Sequence, residues 1–344
     1  MANTKCPLCK SENTFLQQDN FTGYKVDMKF QIHICDDCST SFPLPKVNAD
    51  KLYEFIYKNQ HRIPGYSRYW YYFKEIKDQS NPLSFLADSG EAYFGIKEAL
   101  LKIKKTKQNL KVLDVGCGLG YLTYALKREN YDVYGIDISK EAIVKAKEHF
   151  GDYFICQDIY QYAKENKKGF DAIILTELIE HLENPIEFLK TSLNLLNENG
   201  KIILTTPNRS IANSEIVWHT ESPPIHHWWY SEQSISYIAK KLNLKLNFIS
   251  FEKFYSKKPK FYNIKRYEKK RFRSPTIDEN WELYKEKIPR KKGKLEMQLK
   301  YFSYNFSFII RFFLKIMKLF NPSIIICDER GKFICATLEK SYIT

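Results

Sequence analysis

The chain has 344 residues, enough for one large domain and a small one, and 44% of them are hydrophobic, which is ample for a core. Its formal net charge of +14 comes from 54 Lys and Arg against 40 Asp and Glu. No apolar run reaches the roughly 18 residues of a membrane-spanning helix, and the first residues do not resemble a signal peptide. The eight cysteines are not spaced as a secreted disulfide scaffold. These features predict a cytoplasmic protein.

Residues 1–45 contain two C-x-x-C pairs. Cys6 and Cys9 form the first pair, Cys35 and Cys38 form the second, and the stretches between them alternate well enough for a hairpin. This spacing is typical of a zinc ribbon, in which four thiolates close a tetrahedral site. Because four cysteine ligands leave no open position, we expect the Zn²⁺ to be structural. Four free buried thiols are the alternative interpretation.

Residues 46–108 have apolar residues at helical spacing, with helices predicted over 49–57 and 91–105. Residues 64–73 between them are unusually aromatic. Next to Arg68 they hold Tyr66, Tyr69, Trp70, Tyr71, Tyr72 and Phe73. Packing of an aromatic helix against a sheet would account for this composition.

A glycine-rich turn follows a short apolar run at residues 111–115, which is typical of a buried parallel strand. Gly116, Gly118 and Gly120 alternate along this turn, and a helix is predicted over 119–128. The glycines permit tight backbone geometry and leave no Cβ between the chain and a ligand. A helix N-terminus beside them directs backbone N–H groups at that ligand. The pattern indicates the start of a nucleotide-binding βαβ unit.

Three acids lie near the carboxyl ends of the first three strands predicted in this part of the chain. Asp114 lies in the first, Asp137 ends the second and Asp158 follows the third. Each acid alone could be a helix N-cap or an exposed loop residue. Together, beside a glycine loop, they indicate a ligand site, where an acid ending the second strand can accept both hydroxyls of a ribose.

At these residues the chain resembles the class I S-adenosylmethionine-dependent methyltransferases. The resemblance covers roughly residues 90–250 and the final strand, through VLDVGCGLG at 112–120, GIDIS at 135–139, QDI at 157–159 and FDAIILTELIEHL at 170–182. It implies that Asp114 and residues 116–120 hold the methionine end of S-adenosylmethionine, Asp137 the ribose and Asp158 the adenine. The full set of cofactor-binding residues that it implies is Asp114, Gly116, Cys117, Gly118, Gly120, Asp137, Ile138, Asp158, Ile159, Thr176 and Glu177.

Strands alternate with helices through residues 109–252, which predicts an α/β fold with a doubly wound, mainly parallel Rossmann-like sheet. Residues 332–338 also alternate like a strand, and the resemblance implies that they insert as an antiparallel seventh strand. The core is therefore assigned to 109–252 and 331–344. In similar enzymes the N-terminal region folds over the cofactor, so 46–108 is interpreted as a helical linker or lid. This would place Arg68 or one of the aromatic residues at 64–73 near the methionine end of the ligand.

Three histidines are candidates for the general base, because histidine titrates near neutral pH. His181 belongs to an E-H-L pattern that resembles one in small-molecule O-methyltransferases. His226 and His227 lie in PPIHHWWYS at 223–231, which resembles a stretch of methyltransferases from bacterial glycan and secondary-metabolite pathways, although Ile225 interrupts it. A structural hydrogen bond or a cofactor contact is the alternative for His181. The aromatic residues after His227 could stack on a sugar or form a pocket wall.

Residues 253–330 form a predicted basic helical insertion. Its first part, 253–300, holds 17 Lys and Arg against 6 Asp and Glu, so most of the net charge is local. Residues 301–320 have the spacing of a basic amphipathic helix. A solvated helical hairpin, an anionic partner, a membrane surface, packing on the domain and a homodimer contact all remain open for this segment.

The sequence therefore predicts an enzyme, a methyltransferase with an N-terminal zinc ribbon. Its acceptor is expected to be a small molecule, a glycan or a sugar nucleotide, methylated on oxygen or, for a nucleotide-linked sugar, on carbon. One alternative is an RNA methyltransferase, favoured by the ribbon and the basic insertion. Another is a non-catalytic binding protein with a degenerate site. The predicted location is the cytoplasm, with peripheral attachment to the inner membrane face left open.

Overall fold

The computed structural model describes residues 4–63, 65–107, 109–166, 169–211, 222–256, 264–266, 276–283, 324–326 and 330–341. The predicted amphipathic helix at 301–320 and most of the basic insertion therefore lie outside the described residues. None of the helices in these ranges is long and apolar enough to span a bilayer.

A three-stranded antiparallel sheet opens the chain, with strands β1 (Thr14–Thr22), β2 (Lys29–Cys35) and β3 (Ser41–Leu44) in that order. The first four residues of β2 alternate between exposed and buried, as expected of a strand with one face on a core. The predicted hairpin is present, and the third strand was missed because four residues carry too little periodicity to be recognised.

Four helices follow: α1 (Asp50–Asn59), α2 (Ser67–Glu75), α3 (Pro82–Ser89) and α4 (Glu91–Lys104). Local signals fix the start of α3, where Asn81 accepts a hydrogen bond from the Ser84 amide and Pro82 occupies the first turn. α4 is buried along most of its length and packs against the large sheet described next.

Strands and helices then alternate: β4 (Lys111–Val115), α5 (Tyr121–Arg128), β5 (Asp132–Asp137), α6 (Lys140–Phe150), β6 (Phe154–Cys156), α7 (Ile159–Glu165), β7 (Phe170–Thr176), α8 (Pro185–Leu195), β8 (Leu196–Pro207), α9 (Glu232–Lys241), β9 (Leu244–Phe248), α10 (Glu252–Ser256), β10 (Ile264–Arg266), β11 (Ile324–Ile326) and β12 (Phe333–Lys340). β10 and β11 pair with each other. The predicted sixth strand, 244–251, is shorter: it ends at Phe248, and three residues separate it from α10.

Seven strands form one sheet in the order β6-β5-β4-β7-β8-β12-β9. β4 to β8 pair in parallel, whereas β12 runs antiparallel between β8 and β9. This topology confirms the predicted doubly wound fold and the inserted seventh strand. The strand order reverses between β4 and β7, and open sheets of this kind bind ligands outside the carboxyl ends of the strands at such a point.

Two apolar cores cover the two faces of the sheet. Along β7, Ile174 points into one core and Ile173 and Leu175 into the other, as the two-residue period of a strand requires. The second core continues into the N-terminal sheet, since it includes Cys6, Cys38 and Phe42. The cysteine-bearing module therefore packs directly on the methyltransferase-like core.

Candidate active site

The glycine turn at the end of β4 has left-handed backbone conformations that favour glycine, with φ of +52° at Gly118 and +78° at Gly120. A Cβ at Gly120 would lie 2.5 Å from the Phe154 ring, so this glycine packs the turn against β6. A Cβ at Gly118 would meet nothing within 4 Å. Gly118 thus presents bare backbone to the open space above the sheet.

Asp137, at the end of β5, is held against this turn by two backbone donors. The Gly118 amide donates to its Oδ2 and the Ser139 amide donates to its Oδ1, each at 2.8 Å. Burial raises the pKa of Asp137, while these donors oppose the shift. Each carboxylate oxygen retains a second lone pair, so Asp137 can also accept two hydroxyl groups from a ligand.

Asp114 is more deeply buried. Its Oδ2 accepts a 2.6 Å hydrogen bond from the Thr123 hydroxyl, and burial raises the pKa of its carboxyl group to about 7. Asp158 is exposed and caps α7, accepting hydrogen bonds from the Tyr160 and Gln161 amides. The hydrogen bonds of Asp158 therefore agree with the helix-cap interpretation. Asp158 also borders the cavity described below.

A tyrosine-rich wall from the N-terminal helices faces β7. Arg68 and the Tyr69 hydroxyl both donate to Oε2 of Glu177, with Arg68 Nη2 at 2.5 Å. Further tyrosines from distant segments share this wall: Tyr53, Tyr57, Tyr66, Tyr93 and Tyr121. The sequence indicated Arg68 and the aromatic stretch at 64–73, but Tyr53, Tyr57, Tyr93 and Tyr121 carried no local signal.

Glu180, His181 and His226 converge on the opposite side. The His181 and His226 rings are 4.5 Å apart, and the Thr206 hydroxyl donates to Glu180 Oε2 at 3.0 Å. Nδ1 of His181 donates to the Ile225 carbonyl at 2.9 Å, which leaves the lone pair on Nε2. Burial lowers the pKa of His181 to about 4, so this imidazole is neutral and only weakly basic at pH 7.

His227 lies outside this group. Its backbone amide donates to the Glu180 carbonyl at 2.9 Å, and its side chain lines a separate small cleft with Lys46 and Trp228. Trp228, Trp229 and Tyr230 are buried in apolar clusters rather than presented to a ligand. Of the two consecutive histidines, the structure thus places only His226 beside His181.

One cavity of about 1250 Å³ joins these features. That volume exceeds the ~300–1,000 Å³ typical of a site for one small molecule, so it can hold a cofactor and an acceptor together. The cavity is lined by His181, His226 and every residue expected to bind the cofactor except Gly120, whose turn packs on Phe154. Sequence reasoning assigned no binding role to Ser139 or Thr206, whose contacts hold Asp137 and Glu180 in place.

The four cysteines of the N-terminal module form a second candidate site, a metal centre. Sγ of Cys6 lies 3.7 Å from that of Cys38, Cys9 and Cys35 are 3.4 Å apart, and all four sulfurs lie within 4.8 Å of one another. Bonds of about 2.3 Å in a ZnS₄ tetrahedron separate the sulfurs by about 3.8 Å. The four side chains therefore fit one Zn²⁺.

Comparison with known proteins identifies the family. The model of the methyltransferase domain family matches residues 88–247. The ubiquinone biosynthesis O-methyltransferase of Pelagibacter ubique is 32% identical over 170 residues, which cover 44% of this chain and 70% of that protein. The chain belongs to the S-adenosylmethionine-dependent methyltransferases. This confirms the family indicated by the glycine turn and the acids.

Other relatives match over shorter or more divergent stretches. The ubiquinone biosynthesis O-methyltransferase of Aliivibrio fischeri strain MJ11 is 28% identical over 154 residues, and the methyltransferase described here spans 60% of its length. Among solved structures, a SAM-dependent methyltransferase from Archaeoglobus fulgidus aligns with a TM-score of 0.41 at 18% identity, covering 71% of this chain and 94% of that one.

Proposed function

We propose that this protein transfers a methyl group from S-adenosylmethionine to an oxygen atom of a small-molecule or glycan acceptor. The observation that carries this proposal is that one large cavity has the glycine turn and Asp137 on one side and the Glu180–His181–His226 group on the other. A related protein named as an O-methyltransferase supports oxygen as the acceptor atom. Most of the basic insertion, which together with the ribbon favours the RNA alternative, lies outside the described residues.

The residues beside the turn fit the cofactor. Asp137 would accept the two ribose hydroxyls, since each of its oxygens already accepts one backbone donor and keeps one lone pair. Gly118 lets the backbone approach the ligand closely, because no side chain stands above the turn. When bound, S-adenosylmethionine supplies an electrophilic methyl group on a sulfonium, which needs alignment with the acceptor.

The opposite side of the cavity would handle the acceptor. Glu180, His181 and His226 form a polar group where an acceptor hydroxyl can lose its proton. The hydroxyl oxygen then forms the bond to the methyl carbon while the carbon–sulfur bond breaks, which yields a methyl ether, S-adenosylhomocysteine and one proton. His227 is not proposed in this role, because its side chain lines a different cleft.

We also infer that Cys6, Cys9, Cys35 and Cys38 bind a structural Zn²⁺. Their spacing in the sequence and their sulfur separations both support it. With four thiolate ligands the ion would have no open position, so its contribution would be to the folding of the module.

Calorimetric titration with S-adenosylhomocysteine tests the cofactor site. We expect micromolar binding to the wild type and a loss of tenfold or more, about 1.4 kcal/mol or greater, in Asp137→Ala, because two hydroxyls lose their acceptor. Asp132→Ala is the matched control, since Asp132 begins the same strand and is exposed. Equal binding to wild type and Asp137→Ala would contradict the proposed site. Product analysis with a panel of hydroxylated acceptors and S-adenosylmethionine then tests transfer to oxygen.

A further inference from the structure

Three side chains that can bind metal ions meet in the acceptor half of the cavity. Glu180 and His181 belong to the single helical turn Ile179–His181 after β7, and His226 lies on the segment that leads to α9. Each offers one ligand atom, a carboxylate oxygen or an imidazole nitrogen, and the three atoms lie within 4.8 Å of one another. Glu180 is only 1% exposed and His226 only 7%.

The neighbours of these side chains orient them as the neighbours of metal ligands do. The Ile225 carbonyl accepts from Nδ1 of His181 at 2.9 Å, so Nε2 keeps its lone pair. The Thr206 hydroxyl donates to Oε2 of Glu180 at 3.0 Å and so orients this carboxylate. Histidines that bind metal ions characteristically donate their second ring N–H to a carbonyl or carboxylate, and ligating carboxylates are themselves hydrogen-bonded.

We propose that Glu180, His181 and His226 bind one divalent transition-metal ion whose open coordination positions face the cavity. Two imidazoles and one carboxylate suit Fe²⁺, Co²⁺, Zn²⁺ or Mn²⁺ and occupy only three positions of the ion. Ligand atoms about 2.1 Å from a shared ion lie about 3 Å apart in a facial arrangement, so ion binding draws the three atoms together through side-chain rotation. This site is distinct from the four-cysteine centre, which would be fully coordinated.

The position of the ion gives it a role in the proposed reaction, and this part rests on the proposed function. An acceptor hydroxyl bound at an open position would have a lowered pKa, so its proton passes to water before the oxygen attacks the methyl carbon. An acceptor with a second oxygen next to the hydroxyl would occupy two positions. The site therefore favours vicinal diols, catechols or α-hydroxy carbonyl compounds.

Cobalt titration of protein loaded with only one equivalent of Zn²⁺, which the four thiolates bind preferentially, tests the site without measuring activity. Thiolates favour Zn²⁺ over Co²⁺, so added Co²⁺ reports on the nitrogen and oxygen ligands. We expect calorimetry and the weak visible absorption of Co²⁺ to show one bound ion per chain in the wild type. Glu180→Gln and His226→Ala should each weaken this binding tenfold or more. His227→Ala is the matched control, because the side chain of the adjacent histidine points to another cleft, and it should bind Co²⁺ like the wild type.

Titration of each variant with S-adenosylhomocysteine separates the two proposals. Absence of Co²⁺ binding by a wild type that binds S-adenosylhomocysteine would overturn the metal site. Equal Co²⁺ binding by the wild type, Glu180→Gln and His226→Ala would also overturn it, because the ion would then lie elsewhere. Co²⁺ binding with the expected pattern in a protein that does not bind S-adenosylhomocysteine would support the metal site and contradict the proposed function.

Discussion

Gly118 and Gly120 share a positive φ but serve different purposes. At Gly120 the space for a Cβ is taken by the Phe154 ring and by Ala146, whereas at Gly118 that space is open and faces the cavity. We therefore infer that the first glycine leaves room for a ligand, whereas the second lets the turn pack on its neighbours. Local sequence predicts the turn, but only the packing around each glycine distinguishes these roles.

Alanine substitutions should separate the two effects. Gly120→Ala combines the left-handed backbone penalty of about 1–2 kcal/mol with overpacking of about 1–3 kcal/mol, so it should lower the free energy of unfolding by about 2–5 kcal/mol. Gly118→Ala should cost only the backbone penalty but weaken S-adenosylhomocysteine binding, because its Cβ would project into the cavity. Denaturant unfolding measures the free energy of unfolding of each variant, and calorimetry measures its S-adenosylhomocysteine binding. Equal destabilisation by the two changes would contradict this assignment.

Asp114 makes stability depend on pH. Burial raises the pKa of its carboxyl group to about 7, so the folded state holds a proton that the unfolded state has already lost. The stability linked to this proton is present in acid and is lost as pH rises toward 7. Relative to the isosteric Asp114→Asn variant, ligand-free wild type should lose stability progressively between about pH 4 and 7, by a few kcal/mol at about 1.4 kcal/mol per pKa unit.

Thermal unfolding of both proteins across this pH range provides the measurement. The difference in melting temperature between them should grow with pH and level off above about pH 7, where both states are ionised. A difference that does not change with pH would show that Asp114 is ionised throughout, with its burial offset by other contacts.

At the scale of elements, the N-terminal module holds the segment that carries His226. The Tyr24 amide donates to the Pro223 carbonyl at 3.0 Å on one side of His226. On the other side, Ser41 and Trp229 exchange two backbone hydrogen bonds of 3.1 and 2.9 Å, and the Ser39 carbonyl accepts from the hydroxyls of Ser231 and Ser234. The N-terminal module would therefore position the side of the cavity where we propose that the acceptor binds.

Disrupting the proposed zinc site should loosen this segment selectively. In Cys38→Ser we expect hydrogen exchange at the amides of His227 and Trp229 to accelerate tenfold or more, while the amides of β4 and β5 remain protected, because the module opens before the main sheet. Cys156→Ser is the matched control, since Cys156 is exposed and lies far from the cysteine cluster in the sequence. Unchanged exchange in Cys38→Ser would show that the module does not support the segment.

At the scale of the whole molecule, the site is assembled where the strand order reverses. The glycine turn follows β4, Asp137 ends β5 and Glu177 follows β7, so the parallel arrangement brings these residues to one edge. The N-terminal helices and the segment before α9 then close the two sides of the cavity. The cavity therefore combines residues from both halves of the sheet with residues from the N-terminal helices.

The sequence by itself determined the elements whose causes are local. An apolar run followed by alternating glycines specifies a strand and a turn through the backbone freedom of Gly118. The two C-x-x-C pairs predict a metal-binding turn at each pair, because the two cysteines of a pair are close in sequence. The alternation of strands with helices was enough to predict the doubly wound fold, and the acids at strand ends indicated where a ligand site would lie.

Only the tertiary structure decided which side chains meet. His226 and His227 are neighbours in sequence, yet one lines the cavity and the other a separate cleft, because the surrounding segment is anchored by Tyr24 and Ser41 from the N-terminal module. The contact of His226 with His181 joins residues 45 positions apart. Such contacts depend on packing between distant segments, and packing energies leave no periodic signal in the residues on either side.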